Sequence, residues 1–202
     1  MLARIDSCAV LGMEAHLVQT QVDVGPGQPF FTVVGLPDPA VQESRERVRS
    51  AVRNSQFSFP SCRVTVNLAP ADIRKEGPAF DLPIALGVLA ATEQIMARDM
   101  EKLVAVGELS LDGSVRPISG VLPIALAVRE AGYKGLIVPA DNAAEATVVE
   151  GLAAYPVRTL WEAAEVVARP EHRQPAPSTA GEWRLAEPDY PVDFSEVKGQ
   201  HM

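Results

Sequence analysis

Cysteine and histidine are scarce in this 202-residue chain, which has two cysteines and three histidines. These residues build disulfide frameworks and many metal sites. Cys8 and Cys62 lie in separate apolar segments, without a second cysteine or a histidine at ligand spacing. They are therefore predicted to be free, buried thiols rather than a disulfide or a metal site. The histidines are scattered at His16, His172 and His201, which argues against a metal centre.

Long hydrophobic runs are also missing. No stretch of about 18 uncharged apolar residues is present to cross a bilayer, and Asp6 and Glu14 interrupt the N-terminal segment, which does not resemble a secretory signal. These features predict a soluble, cytoplasmic protein without a membrane partner. The net charge of −8 excludes a domain that coats a polyanion by its overall charge, so any contact with nucleic acid requires a local basic patch.

The common catalytic and nucleotide-binding motifs are absent as well. GxxxxGK[ST], GxGxxG, HExxH and GxSxG do not occur in the chain. Glu76 and Asp81 are close enough in sequence for acid–base work, but Asp81 is better interpreted as an acidic residue that interacts favourably with a helix N-terminus. No cofactor is expected within the chain.

Hydrophobic periodicity predicts an α/β fold with two layers and a mixed sheet. The first third favours a β-meander, followed by an amphipathic helix that starts near Pro39 and a buried helix that contains Pro83. The second half alternates between strands and helices, with an Asp-Gly hairpin turn. Strands are expected at 3–12, 15–25, 30–36, 63–70, 135–140 and 155–160, two short strands within 102–118, and helices at 37–55, 80–95, 121–133, from Asn142, and at 161–168.

A change of composition at Arg169 predicts a domain boundary. Residues 1–168 form the main domain, and residues 169–192 are proline-rich and lack periodicity, as in an extended linker. Residues 193–202 resume an apolar pattern and are interpreted as the start of a second domain.

A ridge of arginines is predicted on the first helix. Arg45, Arg49 and Arg53 are spaced by four residues, and guanidinium groups suit phosphates or a partner's carboxylates. Glu43 and Glu46 are expected to offset part of this charge through pairs at i+3 and i+4. Arg47 lies beside these three residues. A solvated helix face is the favoured interpretation, and a phosphate-binding ridge is the alternative.

Two segments resemble the protease domain of Lon. "KEGPAFD" at 75–81 is similar to its nucleophile loop, and the segment that starts "VGELSLDGSVRPISG" at 106 is similar to the region that carries its lysine base. The alignment places the serine at Ala79 and the lysine at Leu122, and hydrocarbon side chains cannot replace either group. A relocated dyad, in which Ser119 or Ser110 acts with Lys75, is the alternative.

A narrower resemblance covers most of residues 1–168. "VVGLPDPAVQESRERVRSAVRNSQFSFP", "RVTVNLAPADIRKEGPAFDLPIALGVLAA" and "VGELSLDGSVRPISGVLPIALA" resemble the N-terminal domain of the YifB/ComM proteins, which are described as magnesium chelatase-like. The resemblance implies a Lon-protease-like, ribosomal-protein-like β-α superfold. Where the family has Gly-Arg-Phe-Asp or Ser-Arg-Phe-Asp, this chain has an alanine, Ala79, in place of the arginine.

In that family a proline-rich connector leads to an AAA+ ATPase module, which "DFSEVKGQ" at 193–200 resembles. Val197, Gly199 and Gln200 would then approach the nucleotide, and ATP and Mg would bind the parent protein rather than this part of it. The resemblance implies a homo-hexameric motor for DNA processing, such as branch migration in natural transformation, with this domain as a non-catalytic accessory. A peptidase with a relocated dyad and a protein-interaction adaptor are the alternative functions.

Overall fold

The computed structural model describes residues 1–97 and 100–180, and its central feature is a mixed seven-stranded sheet. This architecture confirms the predicted α/β class with a mixed sheet. The strands are β1 (Leu2–Leu11), β2 (Glu14–Gly25), β3 (Phe30–Val34), β4 (Arg63–Ala69), β5 (Leu103–Ala105), β6 (Glu108–Leu109), β7 (Val115–Arg116), β8 (Gly135–Pro139) and β9 (Ala153–Val157). The helices are α1 (Pro39–Asn54), α2 (Asp81–Ala91), α3 (Val121–Glu130), α4 (Ala143–Thr147) and α5 (Leu160–Ala168).

The order of strands in the sheet is β3-β4-β2-β1-β5-β8-β9. β2 is antiparallel to both β1 and β4, whereas the pairs β3–β4, β1–β5, β5–β8 and β8–β9 are parallel. The predicted meander is therefore wrong, because β4 lies between β2 and β3. A parallel pair needs a crossover connection, and α1 supplies it between β3 and β4.

Helices cover both faces of the sheet. Buried side chains of α1, α2 and α5 form one core with β1 to β5. Side chains of α3 and α4 form a second core on the opposite face, with Cys8, Val104, Leu136 and Ala154. The period-two alternation of β1 and β5 explains this division, since Ile5 and Ala105 enter the first core and Cys8 and Val104 the second. The two expected layers are thus joined by a third over part of the sheet.

The two helices predicted before residue 100 form as expected. The Asp38 carboxylate caps α1 by accepting a hydrogen bond of 2.8 Å from the Val41 amide, and Pro39 occupies the first turn. Val41, Val48 and Val52 of the predicted apolar stripe are buried. Every residue of α2 is buried, which agrees with a helix that is apolar all round.

Two predicted boundaries in the second half are corrected. Residues 102–118 form three short strands rather than two, because β5 ends before Gly107 and only β6 and β7 form the hairpin. The strand predicted at 155–160 is β9, which ends at Val157. Thr159 is instead the cap of α5, since its hydroxyl accepts a hydrogen bond of 3.2 Å from the Glu162 amide.

The first residues of the predicted linker bind to the domain. The Ala176 amide donates to the Ala154 carbonyl at 2.8 Å, and the Thr179 amide donates to the Thr147 carbonyl at 3.0 Å. The chain as far as Ala180 therefore lies against β9 and α4. The predicted module start at 193–202, with Val197, Gly199 and Gln200, lies outside the described residues, as does the second half of the linker, 181–192. Over the residues that are described, no helix is both long enough and apolar enough to span a membrane.

Candidate functional site

The segment that resembles the Lon nucleophile loop is a short 3-10 turn, Pro78–Phe80, which leads directly into α2. Ala79 is half-buried there, and its backbone carbonyl accepts a hydrogen bond of 2.9 Å from the Gly107 amide. The Gly107 carbonyl in turn accepts a bond of 3.0 Å from Leu82. The loop is thus fixed to the β5–β6 connection, and its side chain at position 79 is a methyl group without a nucleophilic atom.

A buried ion pair lies beside this loop. Nε and Nη2 of Arg47 donate to the two carboxylate oxygens of Asp81 at 2.6 and 3.0 Å, and the Leu109 amide donates to Oδ2 at 3.2 Å. The Asp81 side chain is fully buried and that of Arg47 is 21% exposed. This bidentate geometry joins α1, α2 and the β6–β7 hairpin through one carboxylate.

Burial raises the pKa of Asp81 from 3.8 to about 6, although the hydrogen bonds and charge of Arg47 act in the opposite direction. The same hydrogen bonds raise the pKa of Arg47. Asp81 does stand at the start of α2 as expected, but its partner is Arg47 and not only the helix terminus. Glu76 pairs separately with Arg74 at 3.2 Å, so the two carboxylates considered for acid–base work have different partners.

Lys75 is completely buried in front of the loop. Its Nζ donates to the Pro70 carbonyl, and its backbone bonds to Leu36 and Asp38. Burial lowers the pKa of Lys75, and the charge of Asp72 partly opposes this change. These contacts give Lys75 a role in fixing the loop to the segment before α1.

The serines considered as partners of Lys75 lie in other surroundings. Ser110 Oγ accepts a hydrogen bond of 2.7 Å from Nε of Arg116, and Ser119 is exposed before α3. Leu122, at the position of the Lon lysine, is 41% exposed on α3. The neighbours of these two positions enter different cores, since Phe80 packs in the first core and Val121 in the second.

The predicted arginine ridge is partly used within the domain. Arg45 donates to the Gln42 carbonyl at 2.9 Å and to the Phe31 carbonyl of the edge strand at 3.4 Å. Arg49 pairs with Glu46 at 3.3 Å and lies 5.6 Å from the centre of the Phe59 ring. Arg53 is exposed near the end of α1.

The acidic partners on α1 occur as expected from the sequence. Glu43 lies 3.8 Å from Arg47 at i+4, and Glu46 pairs with Arg49 at i+3. The ridge is therefore a mixed helix surface in which Arg53 has the most exposed side chain.

Both cysteines are free thiols, as predicted, with Cys8 buried and Cys62 half-buried. Burial raises the pKa of Cys8 to about 12, so this thiol is not a nucleophile at neutral pH. In the described part of the chain, no three His, Cys, Asp or Glu side chains lie close enough together to hold a metal ion.

The starts of α1 and α2 do not fit the phosphates of ATP. The glycine turn at Gly77 precedes a helix, but the first amides of α2 are used inside the protein, where Leu82 donates to Gly107. The start of α1 is capped by the Asp38 carboxylate, which would repel a phosphate. Nucleotide chemistry is therefore not assigned to these residues.

Comparison with known proteins connects this architecture to a family. The model of the family described as "Subunit ChlI of Mg-chelatase" matches residues 20–142. The chain is 45% identical to competence protein ComM of Haemophilus influenzae over 161 residues, which cover 80% of this chain and 31% of ComM.

Two further relatives support both resemblances seen in the sequence. Protein YifB of Escherichia coli, which is uncharacterized, is 41% identical over 150 residues, or 74% of this chain and 29% of YifB. Lon protease 1 of Sorangium cellulosum is 28% identical over 164 residues, or 75% of this chain and 20% of the protease. The similarity to the YifB/ComM proteins is confirmed, and the chain spans less than a third of the length of ComM and YifB.

Proposed function

Since the chain belongs to the family described as subunit ChlI of Mg-chelatase, we propose that it is the non-catalytic, Lon-like N-terminal domain of an AAA+ ATPase that processes DNA. The observation that supports this proposal is the loop at 75–81. Its sequence resembles the nucleophile loop of Lon, but Ala79 has no group that attacks a carbonyl.

The fixed geometry of the loop fits an accessory role better than catalysis. Asp81 is held by Arg47 and Leu109, Lys75 by Pro70, and the backbone of Ala79 by Gly107. A catalytic loop must leave space and hydrogen-bonding capacity for a substrate. Here each of these polar groups already has a hydrogen-bond partner within the domain. We infer that the loop stiffens the domain.

The parent protein would be cytoplasmic and would act as a homo-hexamer that contacts its own AAA+ module and DNA. ATP and Mg would bind in that module, and the activity would be DNA branch migration during natural transformation. The name of ComM, a competence protein, supports this proposal. Arg45, Arg49 and Arg53 are the proposed contacts of the ridge with DNA or with a partner.

The proposal is tested by removing residues 1–168 from the parent protein and measuring ATP hydrolysis and migration of a four-way DNA junction. We expect ATP hydrolysis to persist, while branch migration slows by about tenfold or more, equivalent to about 1.4 kcal/mol of activation free energy. Substitutions Ala79→Gly and Leu122→Ala serve as matched controls that should leave both rates unchanged. Normal branch migration without the domain would contradict the proposal.

The ridge is examined by measuring DNA binding of the parent protein at several salt concentrations, with Arg45, Arg49 and Arg53 changed to glutamine. If the ridge contacts DNA, the salt dependence of binding falls by about 0.9 in slope for each lost phosphate contact. An unchanged slope and affinity would remove the ridge from DNA binding and favour an adaptor domain.

A further inference from the structure

A cleft beside α5 is lined by none of the residues of the loop at 75–81. Two adjoining cavities of about 440 and 340 Å³ share Trp161 as a wall, and we name them together the Trp161 cleft. The larger one is lined by Phe57, Ile95 and Met96, and by residues that follow α5. The smaller one is lined by the end of α1 and by the turn of the β6–β7 hairpin.

Trp161 is an exposed but well-held aromatic surface in this cleft. Its side chain is 51% exposed, and its ring stacks on Phe57 with centroids 5.2 Å apart and planes inclined by 21°. A flat ring with a fixed orientation offers a stacking surface at little entropic cost.

Basic side chains surround the ring although the chain is acidic overall. Arg169 and Arg173 line the larger cavity beside one carboxylate, Glu165, which pairs with Arg173 at 2.5 Å. In the smaller cavity the carboxylate of Asp112 accepts bonds of 2.9 and 2.7 Å from Ser114. The larger cavity therefore has more positive than negative charge, in contrast to the net charge of −8.

The positive charge of the cleft lies in the larger cavity. The smaller cavity is lined by Asn54 and by the Asp112 carboxylate, and its lining residues include no arginine or lysine.

We propose that the Trp161 cleft binds unpaired nucleotides of single-stranded DNA, with a base stacked on Trp161 and a phosphate near Arg169 of the larger cavity. Aromatic surfaces within basic grooves are the common means of holding single strands without sequence preference. A base in a duplex is already stacked and cannot enter the cleft without unpairing. The inference rests on the proposed function, because it names the DNA form that the accessory domain would hold.

The test uses the 202-residue chain itself. Its two tryptophans are Trp161 and Trp183, so Trp183→Phe leaves Trp161 as the sole tryptophan reporter. Titration with oligo(dT) of about 12 nucleotides should quench the emission in a saturable manner, and added salt should weaken binding. A duplex of the same length should quench much less.

Variants separate stacking from folding, with binding followed by the anisotropy of a labelled oligo(dT). Trp161→Ala should weaken binding about fivefold or more, whereas Trp161→Phe keeps a ring and should restore most of it. Arg169→Gln should lower the slope of log binding constant against log salt concentration by about 0.7. Arg63→Gln, on β4 and outside the cleft, makes the same charge change and should leave this slope unchanged. Thermal unfolding of each variant checks that the domain is folded.

Three results would overturn the inference. The first is that oligo(dT) does not quench the emission, and the second is that the duplex quenches it equally. The third is that only a short acidic peptide that contains leucine quenches the emission, which would identify the cleft as a protein-binding site. Because this experiment uses no motor activity, its failure leaves the branch-migration test of the parent protein unaffected.

Discussion

Replacing Arg47 by methionine is expected to lower the free energy of unfolding by about 3–5 kcal/mol at pH 7. The reason is that Asp81 is fully buried and receives two of its three hydrogen bonds from this guanidinium. Without Arg47, a carboxylate remains in a low-dielectric interior with only the Leu109 amide as a partner. Urea denaturation of the wild type and the variant measures the difference.

The pH dependence identifies the cause of this loss. The pKa of Asp81 is raised to about 6 in the folded protein from 3.8, and without Arg47 it should rise further. Protonation removes the buried charge, so the defect of Arg47→Met should be smaller at pH 5 than at pH 8. A defect that is the same at both pH values would show that lost packing, not the buried carboxylate, is responsible.

Asp81→Asn is the matched control for the titration itself. A group whose pKa is raised on folding contributes stability that is present below the unfolded pKa and lost as the pH rises through the folded pKa. The stability of the wild type relative to Asp81→Asn should therefore fall by roughly 3 kcal/mol between about pH 4 and pH 7. A constant difference would contradict the raised pKa.

Gly35→Ala is expected to have the other large effect, with a loss of about 4 kcal/mol or more of unfolding free energy. A Cβ atom at Gly35 would lie 2.1 Å from the carbonyl oxygen of Leu68, which belongs to β4, and the residue has a φ of +101°. The clash is with backbone, so relief requires β3 to move away from β4 and break their parallel pairing.

Gly132→Ala provides the control for backbone conformation alone. Gly132 has a φ of +83°, but an added Cβ would meet nothing within 4 Å. This substitution should cost only the conformational strain of about 1–2 kcal/mol. Equal losses for Gly35→Ala and Gly132→Ala in urea denaturation would show that the contact with Leu68 does not constrain the edge of the sheet.

Local patterns in the sequence predicted the elements well because their causes are local. Pro39 and the apolar stripe of α1, and the continuous apolar residues of α2, depend on neighbours within a few positions. The Asp-Gly turn similarly predicted the hairpin of β6 and β7.

The order of the strands could not be obtained in this way. β2, β3 and β4 each have a strand pattern, but no local signal states that β4 inserts between the other two. The Arg47–Asp81 pair could not be predicted for the same reason, since 34 residues separate its members and only the packing of α1 on α2 brings them together.

The start of α5, in contrast, was predictable from the sequence. Thr159 and Glu162 have the Thr-x-x-Glu spacing of a capping box, and this signal outweighs the β-branched residues before it.

The candidate site was predictable only in its chemistry. The sequence shows that Ala79 and Leu122 lack reactive groups. The hydrogen bond from the Gly107 amide to the Ala79 carbonyl and the burial of Lys75, however, depend on tertiary contacts. No signal in the sequence indicates the Trp161 cleft, because Phe57 lies far along the chain from Trp161 of α5 and from Arg169, the residue after α5.

The proposal that this domain resembles the Lon protease domain but is not a peptidase is tested most directly by serine-directed labelling. The purified chain and an active Lon protease domain are treated with a fluorophosphonate, and their intact masses are measured. We predict that the mass of this chain does not change while the protease is labelled. Stoichiometric acylation of a serine such as Ser110 or Ser119, together with cleavage of an unfolded polypeptide, would contradict the account.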